Sequence, residues 1–192
     1  MAIQLPRYVI VDMEGLTPYS QSRPLQSKRH ESETDDDFDQ RIWREHIHLD
    51  EDGDVVIPIK SLLGSLVESA KLLSKGGNLK KKGNATWSEN IVGGVSMLKA
   101  PKLVAPEVRS ERFYCHVNGQ RGTGKRVWRT FPMWDSWTST AEYVVFDETI
   151  TTAVLEECMH KAGLLKGIGR YRPACEGHNG RFHITEIKWT QG

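Results

Sequence analysis

Twelve lysines and arginines against three glutamates between residues 75 and 130 give that stretch a charge of +9, and its composition suits phosphate chemistry. In the run GQRGTGKRVWRTFPMWDSW, Arg121, Lys125, Arg126 and Arg129 can neutralise phosphates, and the glycines let a backbone come close. Trp128, Phe131, Trp134 or Trp137 offer flat rings to exposed bases, each stacked base contributing about 1–3 kcal/mol. Lys80, Lys81 and Lys82 add a basic run upstream. The combination fits single-stranded nucleic acid, RNA or DNA, since nothing in it reads the 2′-hydroxyl. The ordinary use of such rings, packing in the core, is the competing expectation.

A second candidate is the glycine-rich stretch after residue 162. Gly163, Gly167, Gly169, Gly177 and Gly180 strip side chains from a turn, so that backbone N–H groups could cradle a phosphate while Lys166, Arg170, Arg172 and Arg181 supply charge. The alternative is a tight turn whose glycines serve only positive φ angles. Residues 31–54 carry the opposite sign, eleven acids against two arginines, or −9. Such an acidic segment can screen the basic face or dock on a neighbour's, which predicts a head-to-tail homo-oligomer; two ordinary solvated surfaces are the plainer reading.

Other chemistries fit poorly. Gly119 to Lys125 spells G-x-x-x-x-G-K, but Arg126 stands where an NTPase loop needs Ser or Thr for magnesium. In Asp50-Glu51-Asp52-Gly53-Asp54 the glycine comes too early for a calcium loop, and Ser61 replaces the bidentate glutamate. His46, His48 and Asp50, or Cys175, His178 and His183, lack zinc spacing, so no metal or other cofactor is expected. Cys115, Cys158 and Cys175 are odd in number and far apart, which suits a reducing, cytoplasmic setting. No basic leader and no membrane span is read.

Periodicity supplies the elements that must carry these groups. Arg7 to Met13 reads as a buried strand, and Thr17 to Asp39 as a long loop. Trp43–Leu49 and Val55–Pro58 read as two short strands around an Asp-Gly turn. A helix begins at Pro58, with Ile59, Leu62, Leu63, Leu66, Val67, Ala70 and Leu73 on one face, and ends at Gly76-Gly77. Ile91–Met97, the alternating run Glu111–Val117 and Ala141–Phe146 follow. A second helix runs over about 149–162, capped by Asp147 and stopped by Gly163, and Arg181–Trp189 is the last strand. Ignoring insertions, the order is strand, helix, strand, strand, helix, strand, with long loop or hairpin insertions at about 17–56 and 75–138. That is an α+β, ferredoxin-like (RRM-like) βαββαβ core in a single domain over 1–192.

Two stretches resemble the repeat-associated mysterious protein (RAMP) superfamily. Ile57-Pro58-Ile59-Lys60-Ser61-Leu62-Leu63-Gly64-Ser65-Leu66 is similar to the family's IPGSSLKGAL opening of its first helix. Gly163-Leu164-Leu165-Lys166-Gly167-Ile168-Gly169-Arg170-Tyr171, with Gly177, Gly180, Arg181 and Phe182, resembles its glycine-rich loop after the second helix. The likeness implies RNA binding in a CRISPR effector complex, nearest to the backbone subunit, with other effector subunits as partners and an antiviral role. The family's lysine before the motif glycine is Leu63 here and its following arginine is Val67, so those RNA contacts are not carried over, and Lys60 is the candidate substitute.

The expected function is therefore non-catalytic binding of single-stranded nucleic acid, probed first with RNA. The expected contacts are Lys60, Lys80, Lys81, Lys82, Arg121, Lys125, Arg126, Trp128, Arg129, Lys166, Gly167, Gly169, Arg170 and Arg172. One alternative is a metal-independent CRISPR repeat endoribonuclease, with His30 as its candidate base. Asp35, Asp36, Asp37 and Asp39 lack the family's glycine-flanked aspartate context. The other alternative is a phage-encoded protein that mimics a backbone subunit.

Overall fold

The computed structural model describes residues 6–73, 79, 81, 85–116 and 124–191. β1 (Arg7–Gly15) alternates as a half-buried strand must, with Val9, Val11 and Met13 turned to the core and Tyr8, Ile10 and Asp12 half-buried on the other side. β2 (Tyr19–Ser20) is short, and the long connection after it ends in α1 (Asp35–Ile42), whose N-cap Thr34 accepts from the Asp37 amide. A 3₁₀ turn, Trp43–His46, follows where a strand was expected. Three-residue spacing puts Trp43 and His46 on the same side of that turn, and both are buried. The Asp-Gly turn forms as expected: the Asp50 carboxylate accepts from the amides of Asp52 and Asp54, and Leu49 bridges Val55.

α2 (Ile59–Leu73) buries Leu62, Leu66, Ala70 and Leu73, as its period requires, each large side chain contributing about 1.5–3 kcal/mol. Ser65 and Ser69 sit on its face toward the second long helix and donate to the carbonyls of Ala162 and Cys158. Close approach is thereby compatible with satisfied polar groups. Where Ile91–Met97 was read as one element, α3 (Ser88–Gly94) leads into a two-residue β3 (Val95–Ser96). A Cβ on Gly94 would lie 2.4 Å from that of Asp147, so this helix end closes tightly on the end of a neighbouring strand.

β4 (Arg109–His116), β5 (Arg126–Trp134) and β6 (Thr138–Val145) come next, then α4 (Thr152–Lys161) and β7 (Phe182–Gln191). The N-cap of α4 is Thr151, which accepts from the Val154 amide; Asp147 instead binds the Thr149 amide and Asn90. Nor does Gly163 stop the helix. The chain continues through a π turn, Ala162–Lys166, and breaks at Gly167, whose φ is 65°. Gly163 is needed there because a Cβ would lie 2.3 Å from the Phe182 carbonyl oxygen.

Two antiparallel sheets result. The first runs β3-β6-β1-β7, and its core-facing residues pack with α2 and α4 around Val11, Leu66 and Cys158. Burial pushes the Cys158 thiol up to about 12, so it behaves as an apolar group. The second sheet, β2-β5-β4, is made from the two long stretches outside the strand-helix series. No helix among the described residues is long and apolar enough to cross a membrane.

Candidate nucleic-acid interface

The basic aromatic segment is a strand rather than a flexible loop. β4 and β5 pair from Arg109↔Met133 to His116↔Arg126, forming a two-stranded ribbon. Alternation divides its side chains. Arg112, Tyr114, His116, Arg126 and Trp128 share one face, and Phe113, Cys115, Arg129 and Phe131 share the other. Toward the base of the ribbon Phe131 and Trp134 are buried, and so is Trp137 just beyond it, which is the core fate that competed with stacking. Trp128 remains 55% exposed.

The glycine turn approaches the ribbon through β2. The Arg170 and Gly180 amides donate to the carbonyls of Ser20 and Pro18, at 3.0 and 2.7 Å, while β2 itself pairs with the last residues of β5. Gly169 has φ 75°, and a Cβ there would lie 2.3 Å from the Ser20 carbonyl oxygen. The expected backbone cradle is not open. The Gly167, Ile168 and Gly169 amides donate to Ala162 O, Gly180 O and the Ser61 hydroxyl. The glycines therefore knit the turn and join the two RAMP-like stretches, with Ser61 of the first holding Gly169 of the second. Tyr171 is held at φ 52°, a left-handed conformation costing about 1–2 kcal/mol, and stacks on Phe113 at 4.7 Å.

Between turn and ribbon lies an open cavity of about 910 Å³. Arg126, Arg129, Gly169 and Arg170 line it together with His46, Tyr114, His116, Phe131, Tyr171 and Glu176. Arg170 projects over Phe131, its guanidinium carbon 3.3 Å from the ring centroid. Burial pulls its pKa below the ordinary guanidinium value, although a guanidinium stays charged; Tyr171 and Cys115 are its polar neighbours. Its Nε is buried with no hydrogen-bond partner, and no ion pair joins it to a described carboxylate.

The other arginines nearby differ. Arg172 makes a two-point pair with Glu68, at 2.7 and 3.0 Å, which holds that carboxyl below its usual range. Arg112 pairs with Asp36, and Arg129 lies 3.7 Å from Asp39. Asp39 also accepts from the Thr130 amide, where β2 no longer covers the β5 edge. The acidic segment thus screens this chain's own ribbon. His46 is buried beside Arg170 and Arg129, and desolvation first, then those charges, lowers its pKa from 6.5. Its Nδ1 lies 2.8 Å from the Arg23 carbonyl oxygen. Because a carbonyl only accepts, that nitrogen carries the proton and Nε2 is the free acceptor.

The fourteen expected contacts therefore divide. Arg126, Arg129, Gly169 and Arg170 meet at the cavity, with Trp128 and Lys125 exposed on the same ribbon. Lys60 is exposed on the first turn of α2, Arg172 is turned to Glu68 on that helix, and Lys166 acts on the same carboxylate. Gly167 packs against Pro173. Lys81 is elsewhere, bonded to Asn90 and 4.4 Å over the Trp87 ring. Lys80, Lys82 and Arg121 lie outside the described residues. His30 is exposed in the long connection, its amide bound to Glu33. Among the described residues no group of three metal-donor side chains is assembled. The sequence reading passed over His46, Tyr114, His116 and Tyr171 as binding residues. Only the alternation of Glu111–Val117 hinted at Tyr114 and His116.

No family model and no curated protein matches the sequence. Among solved structures, the chain is similar to one in the cryo-EM structure of the Type III-B Cmr-beta bound to cognate target RNA. The TM-score is 0.56 and the identity 15%, over 96% of this chain and 61% of that one, so this chain spans less than two thirds of its neighbour. It is also similar to Cmr6 from Pyrococcus furiosus, with a TM-score of 0.49 and 11% identity over 95% of this chain and all of that one. The first likeness shows a shared fold with a chain of that Type III-B Cmr-beta assembly.

Proposed function

We propose that this chain is a RAMP-like, non-catalytic binder of single-stranded RNA that grips the strand in the cavity between the β4–β5 ribbon and the glycine turn. The observation that carries the reading is Arg170, a largely buried cation at the cavity wall with no described carboxylate paired to it. A phosphate is the natural counter-charge. Arg126 and Arg129 supply neighbouring contacts, and Arg129 exchanges Asp39 for the ligand. The strand order β3-β6-β1-β7, with α2 and α4 as crossovers, supports a ferredoxin-like core. The fold shared with a chain of an RNA-bound assembly supports RNA as ligand and other effector subunits, or further copies, as partners.

The test is fluorescence anisotropy with a short labelled RNA, single-stranded or duplexed, across a salt series. Tight, salt-sensitive binding of the single strand is expected, with a log–log slope of about −0.7 for each phosphate neutralised. Salt-independent affinity, or none, overturns the reading. A second reading, metal-independent endoribonuclease, is favoured by His46 and His116 lining the same cavity as three arginines. It requires cleavage of repeat RNA in EDTA, whereas a binder leaves the RNA whole.

A further inference from the structure

The outer face of the ribbon carries two large rings in the open. Tyr114 and Trp128 are direct cross-strand partners, their ring centroids 5.3 Å apart and tilted by 46°, and they are 53% and 55% exposed. The Arg112 guanidinium lies 5.5 Å from the centre of the Trp128 ring. Trp43, Trp134 and Trp137 are all buried, so Trp128 is not exposed for want of a core. Tyr114 also lines the cavity that Arg170 and Arg126 share, so the ring pair begins at the cavity and continues to Trp128 on the ribbon's outer face.

We infer that Tyr114 and Trp128 form a stacking platform for unpaired bases of the strand whose phosphates the cavity holds. The inference rests on the reading of that cavity and deepens it, since it specifies what the bases do. Two tilted rings at the edge of a basic cavity present π faces without a fixed set of hydrogen-bonding groups. Such a surface accepts any base and excludes a duplex, whose bases are already stacked. Arg112 borders the platform and is held there by Asp36.

The test compares two labelled probes of equal length on the full chain: a uridine RNA and the same sugar-phosphate strand without bases. Wild-type protein is expected to prefer the base-bearing strand. Trp128→Ala is expected to lose roughly 5- to 150-fold of affinity for the RNA and none for the baseless strand. Tyr114→Ala should fall the same way, and Trp128→Phe should recover most of the loss. Circular dichroism and melting of Trp128→Ala should match wild type, because the side chain is mostly outside the core. RNA binding equal in wild type and Trp128→Ala overturns the platform while leaving the cavity reading intact. Equal RNA binding with lost self-association in ultracentrifugation reassigns the rings to a protein contact. If neither probe binds wild type, cavity and platform fall together.

Discussion

The glycine turn and the β4–β5 ribbon both look like phosphate sites, one for its backbone and the other for its cations, and they use their groups in opposite ways. In the turn, the amides of Gly167, Ile168, Gly169 and Arg170 are consumed by the protein's own acceptors. Its one cation at the cavity is Arg170, delivered beside Tyr171 on a closely packed backbone. The ribbon keeps its groups open. Trp128, Tyr114, Arg126 and Lys125 are exposed, Arg112 and Arg129 are engaged by the acidic α1, and Arg109 at the base of the ribbon pairs with Asp135 and Glu111. Glycine density marks close packing here, while an unbalanced charge and an unburied tryptophan mark the candidate binding surface.

The largest effect expected from breaking this comparison is structural. Gly180 has φ 69°, and a Cβ there would sit 1.8 Å from the Ile168 carbonyl oxygen. Gly180→Ala should therefore cost about 2–3 kcal/mol or more, lowering Tm by several degrees in a thermal melt. Gly64→Ala is the control, because nothing lies within 4 Å of its Cβ position in α2. Removing a helical glycine there should add about 0.5–1 kcal/mol, and reduced RNA affinity in that stabilised variant would show that a ligand needs the space.

A smaller effect is expected from the screen on the ribbon. Asp36→Asn frees Arg112 without disturbing the buried Asp39, so RNA affinity measured by anisotropy should rise about 2- to 5-fold, in line with an exposed ion pair of at most about 1 kcal/mol. Weaker binding would mean that α1 supports the site rather than competing for it.

The smallest effect concerns pH. His46 titrates below 6.5 because of burial and the nearby Arg170 and Arg129, with Asp39 opposing them. Folded protein binds that proton less readily than unfolded chain, so stability is full above pH 6.5 and declines as pH falls through the lowered value. RNA affinity should move the other way, rising as the new charge appears beside the cavity. His46→Gln should flatten both profiles in parallel melts and titrations.

The sequence disclosed the first sheet well, because Val9-Val11-Met13 and the seven apolar positions of α2 carry unambiguous periods. It marked the basic segment and the glycine stretch as separate candidates through charge and glycine content. It hid β5, since Gly122 and Gly124 beside four cations between 121 and 129 read as a loop, and the cross-strand partner that fixes Trp128 is fourteen residues away. It also hid the fates of Arg170 and Arg172. They are two residues apart in an identical composition, and only the position of Glu68 on α2 decides which one is neutralised.

That pair offers the most direct test. Salt-dependent binding of single-stranded RNA should be measured for wild type, Arg170→Gln and Arg172→Gln. The expected result is a loss of about 10- to 100-fold for Arg170→Gln, with its log–log slope shallower by about 0.7, and a slope unchanged from wild type for Arg172→Gln. Equal slopes for all three proteins would contradict the placement of a phosphate at Arg170.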